Sequence, residues 1–192
     1  MKGTVLYGPG DVRFEDRETP KIIEPTDAVL RMAATCVCGS DLWPYRGIQP
    51  IEGPTPMGHE YCGIVEEMGR AVQSVKPGQF VIGSFATSDN TCPNCRYGYQ
   101  SSCMHREWII RAQAPVLRVP LADGTLVPTS DVPSDDLVPS LLTTSDVLGT
   151  GAGSPPTRPT SSRARPWWSS ATARWACSAS SLRSRWVTSG SS

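Results

Sequence analysis

Apolar residues alternate with polar ones, or run in short β-branched bursts, along most of the first 120 positions, and glycine or proline interrupts them every few residues. This pattern predicts strands at residues 3–7 (GTVLY) and 11–18 (DVRFEDRE) on either side of a GPG turn. It predicts further strands at 27–38 (DAVLRMAATCVC), 61–69 (YCGIVEEMG), 79–86 (QFVIGSFA) and 114–120 (APVLRVP). EGPTPMG and VKPGQ punctuate the series, and DGT at 123–125 reads as a tight turn. Only residues 133–149 carry a helical signal, with Ser134 as cap, acids in the first turn and Pro139 as an interruption. The expected fold is mainly β and barrel-like, in one domain over residues 1–150.

The pattern stops at Gly151. From there to Ser192 the chain holds six arginines, four tryptophans and no Asp, Glu or Lys, among Ser, Ala, Pro, Gly and Thr. Residues of that kind bury too little apolar surface to fold, so 151–192 is expected to be a disordered tail. All the dominant residue types have codons rich in G and C. Read one nucleotide earlier, Trp168 becomes valine and Ala176 glycine. With G or C at the remaining third positions, residues 167–176 become VVVVGDGAVG, an apolar strand entering a G-x-G-x-x-G turn. A one-nucleotide slip near Gly151 is the expectation, and an Arg/Ser/Trp-rich interaction tail the alternative.

Charge sharpens the division. The chain balances 18 basic against 18 acidic residues, but the tail carries +6 and the first 150 residues −6. An acidic body gives no reason to expect nucleic acid. No apolar run reaches membrane-spanning length and the N-terminus is no signal peptide, so a cytoplasmic location is expected. For seven cysteines in such a chain, metal binding is favoured over disulfides.

Three clusters carry candidate chemistry. In SDNTCPNCRYGYQSSC (88–103), Cys92 and Cys95 form a C-x2-C knuckle that points two thiolates at one ion, and Cys103 follows after a glycine-bearing loop. Asp89, three residues before Cys92, and His105 are alternative fourth ligands, and three free thiols are the bland reading. In TCVCGSDLW (35–43), Cys38 is followed by Gly39, Ser40 and Asp41, and Cys36 would share its strand face. In GPTPMGHEYCG (53–63), His59 stands beside Glu60 just ahead of a strand.

CGSD, then GHE, then a cysteine-rich loop with CxxC together resemble the zinc-dependent alcohol dehydrogenases of the medium-chain dehydrogenase/reductase superfamily, over residues 1–151. The resemblance implies a GroES-like catalytic domain with a catalytic zinc and a separate structural zinc lobe. It implies Cys38 and His59 as catalytic-zinc ligands, with Glu60 close behind the metal. Where many members carry a cysteine as third ligand this chain has TTSDVLGTG, similar to the Asp-ligated version in formaldehyde-dehydrogenase-like relatives, so Asp146 is the candidate. At the structural site Asp89 stands where most relatives place a first cysteine, joining Cys92, Cys95 and Cys103. Trp43 replaces a histidine common in relatives, and with Trp108 hints at an apolar substrate pocket.

The roles follow from zinc chemistry. Zinc with three protein ligands and an open corner lowers the pKa of an alcohol. Ser40 is the first hydroxyl able to carry the proton away, and Asp41 orients His59 through its other ring nitrogen. The hydride needs NAD or NADP, because zinc has no redox chemistry. A dinucleotide-binding α/β Rossmann half should follow Gly151, and no such pattern stands there, so little or no turnover is expected of the chain as written. The partners implied are a small alcohol or aldehyde and, for intact relatives, a homo-oligomer. A non-catalytic zinc-binding module and a thiol redox protein are the competing readings.

Overall fold

The structure is a computed structural model that describes residues 1–148. The expected tail at 151–192, with its shifted-frame reading, lies outside the described residues. In chain order the elements are β1 (Lys2–Gly8), β2 (Asp11–Asp16), β3 (Ala28–Thr35), α1 (Leu42–Tyr45), β4 (Thr55–Pro56), β5 (Tyr61–Met68), β6 (Phe80–Gly83), α2 (Pro93–Arg96), β7 (Val116–Val119), α3 (Ala122–Thr125), β8 (Leu126–Pro128) and α4 (Val138–Leu142). Single 3-10 turns at Gly39–Asp41 and Gln100–Ser102 complete the list.

The strands form a three-stranded sheet ordered β2-β1-β4 and a five-stranded sheet ordered β7-β3-β5-β6-β8. Every strand pairing among the described residues is antiparallel. The core lies on the inner face of the larger sheet, where Leu30, Tyr61, Val65, Val81, Leu117 and Val119 are all 1% exposed or less. Each such side chain contributes about 1.5–3 kcal/mol through removal from water, enough to fix a register whose one-residue slip would turn the apolar set outward.

Three local features differ from the sequence reading. β3 ends at Thr35 rather than at Cys38, because Cys38 takes an extended conformation as the cap of the Gly39–Asp41 turn, and its N–H is taken by the Asp41 carboxylate instead of a ladder partner. The DGT segment lies within one turn of helix, α3. The predicted helix at 133–149 shrinks to α4, where Pro139 sits in the first turn, a position in which its missing N–H is harmless, and starts the helix rather than interrupting it. Ser134 instead closes a turn through its carbonyl, which accepts the Leu137 N–H at 3.0 Å.

Two glycines are required by what surrounds them. Gly58 has φ +93°, and a Cβ there would meet the Gln113 backbone N at 2.7 Å, so only glycine makes the bend that delivers His59. At Gly83 the Tyr61 ring occupies the space a Cβ would need.

Candidate metal centres

The first cluster forms at the ends of β3 and β5 and in the turn after α4. Asp41 ties two of its members together: one carboxylate oxygen accepts the Cys38 N–H at 2.8 Å and the other lies 3.3 Å from His59 Nδ1. The opposite ring nitrogen, Nε2, is 3.4 Å from Asp146 Oδ2 and 3.4 Å from Ser40 Oγ. One ligand atom from each of Cys38, His59, Glu60 and Asp146 falls in a group whose members all lie within 4.8 Å of one another. Asp146 is held in register by its neighbour: Ser145 Oγ accepts the Tyr61 N–H at 3.1 Å and donates to the Gly83 carbonyl at 2.8 Å, which pins the turn to β5 and β6.

Burial alone would strip the proton from the His59 ring. Asp146, Asp41 and Cys38 outweigh it, and the pKa is pushed up to about 12. Glu60, 1% exposed, is oriented by Cys36, whose thiol donates to Oε2 at 3.0 Å, while Oε1 is buried with no hydrogen-bond partner. Burial raises the Cys36 pKa, and Glu60 adds to the rise. Sequence reasoning placed Cys36 beside Cys38; the structure turns it to Glu60, a contact that joins two motifs and that neither motif announces.

An aromatic column borders this cluster. The His59 ring meets the Phe85 ring edge-on at 5.6 Å, Phe85 stacks on Trp108 at 5.5 Å, and Arg106 covers Trp108 at 4.9 Å. Trp108 is joined to His59 only through Phe85, whereas Trp43 sits on α1, 58% exposed, with no ring contact to His59. Phe85 escaped the sequence reading. Its only signal was an aromatic residue at the end of a predicted strand.

The second cluster is a self-contained lobe between β6 and β7. Cys92 caps α2 and Cys95 lies within it, so one turn of helix brings their sulfurs to 3.4 Å. Cys103 follows the second 3-10 turn and stands 3.9 Å from Cys92 and 3.5 Å from Asp89 Oδ1. Asp89, Cys92, Cys95 and Cys103 form the second group within 4.8 Å. His105 lies outside it and binds Asp89 through Nδ1 at 2.6 Å. The backbone N–H groups of Met104 and Cys95 bring the Cys92 thiol down to about 7, while burial and its crowded neighbours push Cys95 up to about 12. Burial opposes ionisation of Asp89, but His105 and the Thr91 and Cys92 N–H groups overcome it and hold the carboxyl far below its usual range.

Both donor sets fit zinc. Zn–S bonds of about 2.3 Å and Zn–N or Zn–O bonds of about 2.0 Å in a tetrahedron separate neighbouring donors by about 3.3–3.8 Å. The 3.4 Å between His59 and Asp146 and the 3.4–3.9 Å between the lobe sulfurs agree with that spacing. Glu60 Oε1, buried with no hydrogen-bond partner, is a polar atom that a metal ion would satisfy.

The described residues thus form a mainly β domain that carries one sulfur-rich donor cluster and one mixed S/N/O donor cluster bordered by aromatic rings. The chain belongs to the alcohol dehydrogenase GroES-like domain family, which residues 24–140 match. It is 38% identical over 157 residues to the medium chain reductase/dehydrogenase ucsI of Acremonium sp, covering 79% of this chain and 53% of that one. It is 38% identical over 132 residues to the zinc-type alcohol dehydrogenase B of Aspergillus flavus, covering 66% of this chain and 31% of the relative. Among solved structures it resembles the alcohol dehydrogenase TADH from Thermus sp. ATN1, with a TM-score of 0.72 at 30% identity over 80% of this chain and 46% of that one. The apo form of zinc dependent alcohol dehydrogenase 2 from Streptococcus pneumonia gives a TM-score of 0.69 at 36% identity, over 79% and 43%. The chain spans about half or less of the length of these relatives. No helix among the described residues is long and apolar enough to cross a membrane.

Proposed function

We propose that the chain forms the catalytic-domain portion of a zinc-dependent alcohol dehydrogenase, which moves hydride between a small alcohol or aldehyde and NAD or NADP. One observation carries the proposal: donor atoms of Cys38, His59, Glu60 and Asp146 converge, and the Ser40 hydroxyl lies 3.4 Å from His59 Nε2. Cys38, His59 and Asp146 would hold a catalytic zinc, and Asp89, Cys92, Cys95 and Cys103 a structural one. Bound zinc supplies a Lewis acid that lowers the pKa of an alcohol hydroxyl and has no redox chemistry of its own, so the hydride goes to the nicotinamide.

The chain's own residues do the rest. Asp41 fixes the His59 ring through Nδ1, which leaves Nε2 facing Asp146 and Ser40. Ser40 Oγ, at the edge of the cluster, accepts the alcohol proton and passes it toward solvent. Phe85, edge-on to His59 and stacked on Trp108, presents an apolar ring beside the cluster and favours substrates with an apolar body. Both ligand sets need reduced thiols, which accords with a cytoplasmic location. The dinucleotide is assigned to no residue of 1–148.

Metal analysis of the purified full chain tests the reading, with about two zinc per chain expected. One zinc would favour a non-catalytic zinc-binding module. None, with rapidly titrating thiols, would favour a thiol redox protein. NAD(P)-dependent oxidation of small alcohols by the zinc-loaded protein is the second measurement, together with nicotinamide binding.

A further inference from the structure

We infer that His105 is a positioning residue of the metal lobe: its imidazole holds the Asp89 carboxylate in the orientation that lets one aspartate oxygen stand among three cysteine sulfurs. The inference rests on the lobe binding a metal, as proposed above. A carboxylate differs from a thiolate in that it offers two oxygens, on a bond that rotates, in place of one sulfur. Something has to select which oxygen faces the ion.

The contacts make that selection. Asp89 Oδ2 is taken by His105 Nδ1 at 2.6 Å. Oδ1 is left to face Cys103 Sγ at 3.5 Å, accepting the N–H groups of Thr91 at 2.9 Å and Cys92 at 3.1 Å. His105 itself lies outside the group of mutually close ligand atoms, so its ring acts through Asp89 and not on the ion. The His105 side chain is 65% exposed, so packing does not account for its placement. Its backbone N–H separately donates to Cys103 Sγ at 3.4 Å, a contact that survives any side-chain substitution. Ligand-orienting partners of this kind change metal affinity by about 10–100-fold when removed.

The test uses the full chain in a Cys38→Ser background, where thiolate-to-cobalt charge-transfer absorption reports the lobe. Zinc and Co(II) affinities are measured by chelator competition for that protein and for His105→Ala, His105→Asn, Asp89→Cys and the Asp89→Cys/His105→Ala pair. His105→Ala is expected to weaken binding about tenfold, and His105→Asn to restore most of it, because its amide N–H reaches the place of Nδ1. With Asp89→Cys the ligand has a single donor atom, so adding His105→Ala should change affinity less than twofold. Equal losses from His105→Ala in both backgrounds would show a general structural role and overturn the inference, as would no loss with Asp89 in place. Absence of any charge-transfer band before His105 is altered would remove the metal-lobe reading itself, an outcome distinct from either.

Discussion

The Ser145 hydroxyl accepts the backbone N–H of Tyr61 at 3.1 Å, in a position where that N–H is buried from water. Through this contact and its bond to the Gly83 carbonyl, Ser145 anchors the turn that carries Asp146 to the two strands next to His59. Ser145→Ala leaves the Tyr61 N–H without a partner, and an unsatisfied buried donor costs about 1–3 kcal/mol. The variant should lose stability by that amount in urea unfolding and bind zinc more weakly at the first cluster than at the lobe. If unfolding and both affinities match the parent, Ser145 does not position Asp146.

Gly83 exists for Tyr61, whose fully buried ring fills the place of a side chain on the neighbouring strand. Gly83→Ala forces the ring or the β6 backbone aside, and overpacking of this kind costs about 1–3 kcal/mol. Tyr61→Leu removes the ring that the methyl strikes. In the double variant the two penalties should therefore sum to less than their separate values. Strict additivity in denaturant titrations would mean that the crowding is relieved elsewhere.

Much of this arrangement could be read from residue order, for reasons particular to each segment. β1, β2 and β5 keep close to the alternating or β-branched runs that predicted them, because such runs favour extended backbone, whereas β6 keeps only Phe80–Gly83 of the 79–86 run. The CxxC knuckle could be read because its two thiols lie within one turn of chain, and CGSD because Asp41 closes locally on Cys38. Contacts between distant segments were silent: Cys36 with Glu60, Phe85 with His59, and Ser145 with Tyr61 span 24, 26 and 84 positions and leave no periodic trace. β4 and β8 also went unread, being two and three residues long with a proline in each.

The two ligand groups share no residue, so they should lose metal independently. Cys38→Ser and Asp146→Asn should each lower the zinc content by about one per chain and leave the lobe filled. Cys95→Ser should lower it by about one while the first cluster keeps its ion, with a greater loss of thermal stability, since the lobe between α2 and the second 3-10 turn has only a cysteine cluster for a core. Metal analysis after gel filtration, with melting curves in zinc and in chelator, separates the cases. Loss of both ions from any one variant would contradict independent sites.

Asp27 and Arg118 form a largely buried ion pair that makes the fold sensitive to acid. Asp27 is fully buried and accepts Arg118 Nε at 2.6 Å, Arg118 Nη2 at 3.1 Å and the N–H groups of Ile23 and Glu24 at 2.9 and 2.8 Å. Burial works to raise its pKa, but Arg118 and the two N–H groups prevail and hold it below the ordinary carboxylate value. The unfolded chain therefore binds a proton here at higher pH than the folded one. Asp27's contribution to stability is complete above its unfolded pKa, about 3.9, and is lost as pH falls through the lower folded value. Asp27→Asn should remove that acid-side slope. At neutral pH it should cost about 2–3 kcal/mol, less than the about 3–5 kcal/mol of a fully buried pair, because water reaches part of the Arg118 side chain. Urea unfolding between pH 2 and 7 checks both halves: an acid limb equally steep in parent and variant would assign the sensitivity to other carboxylates.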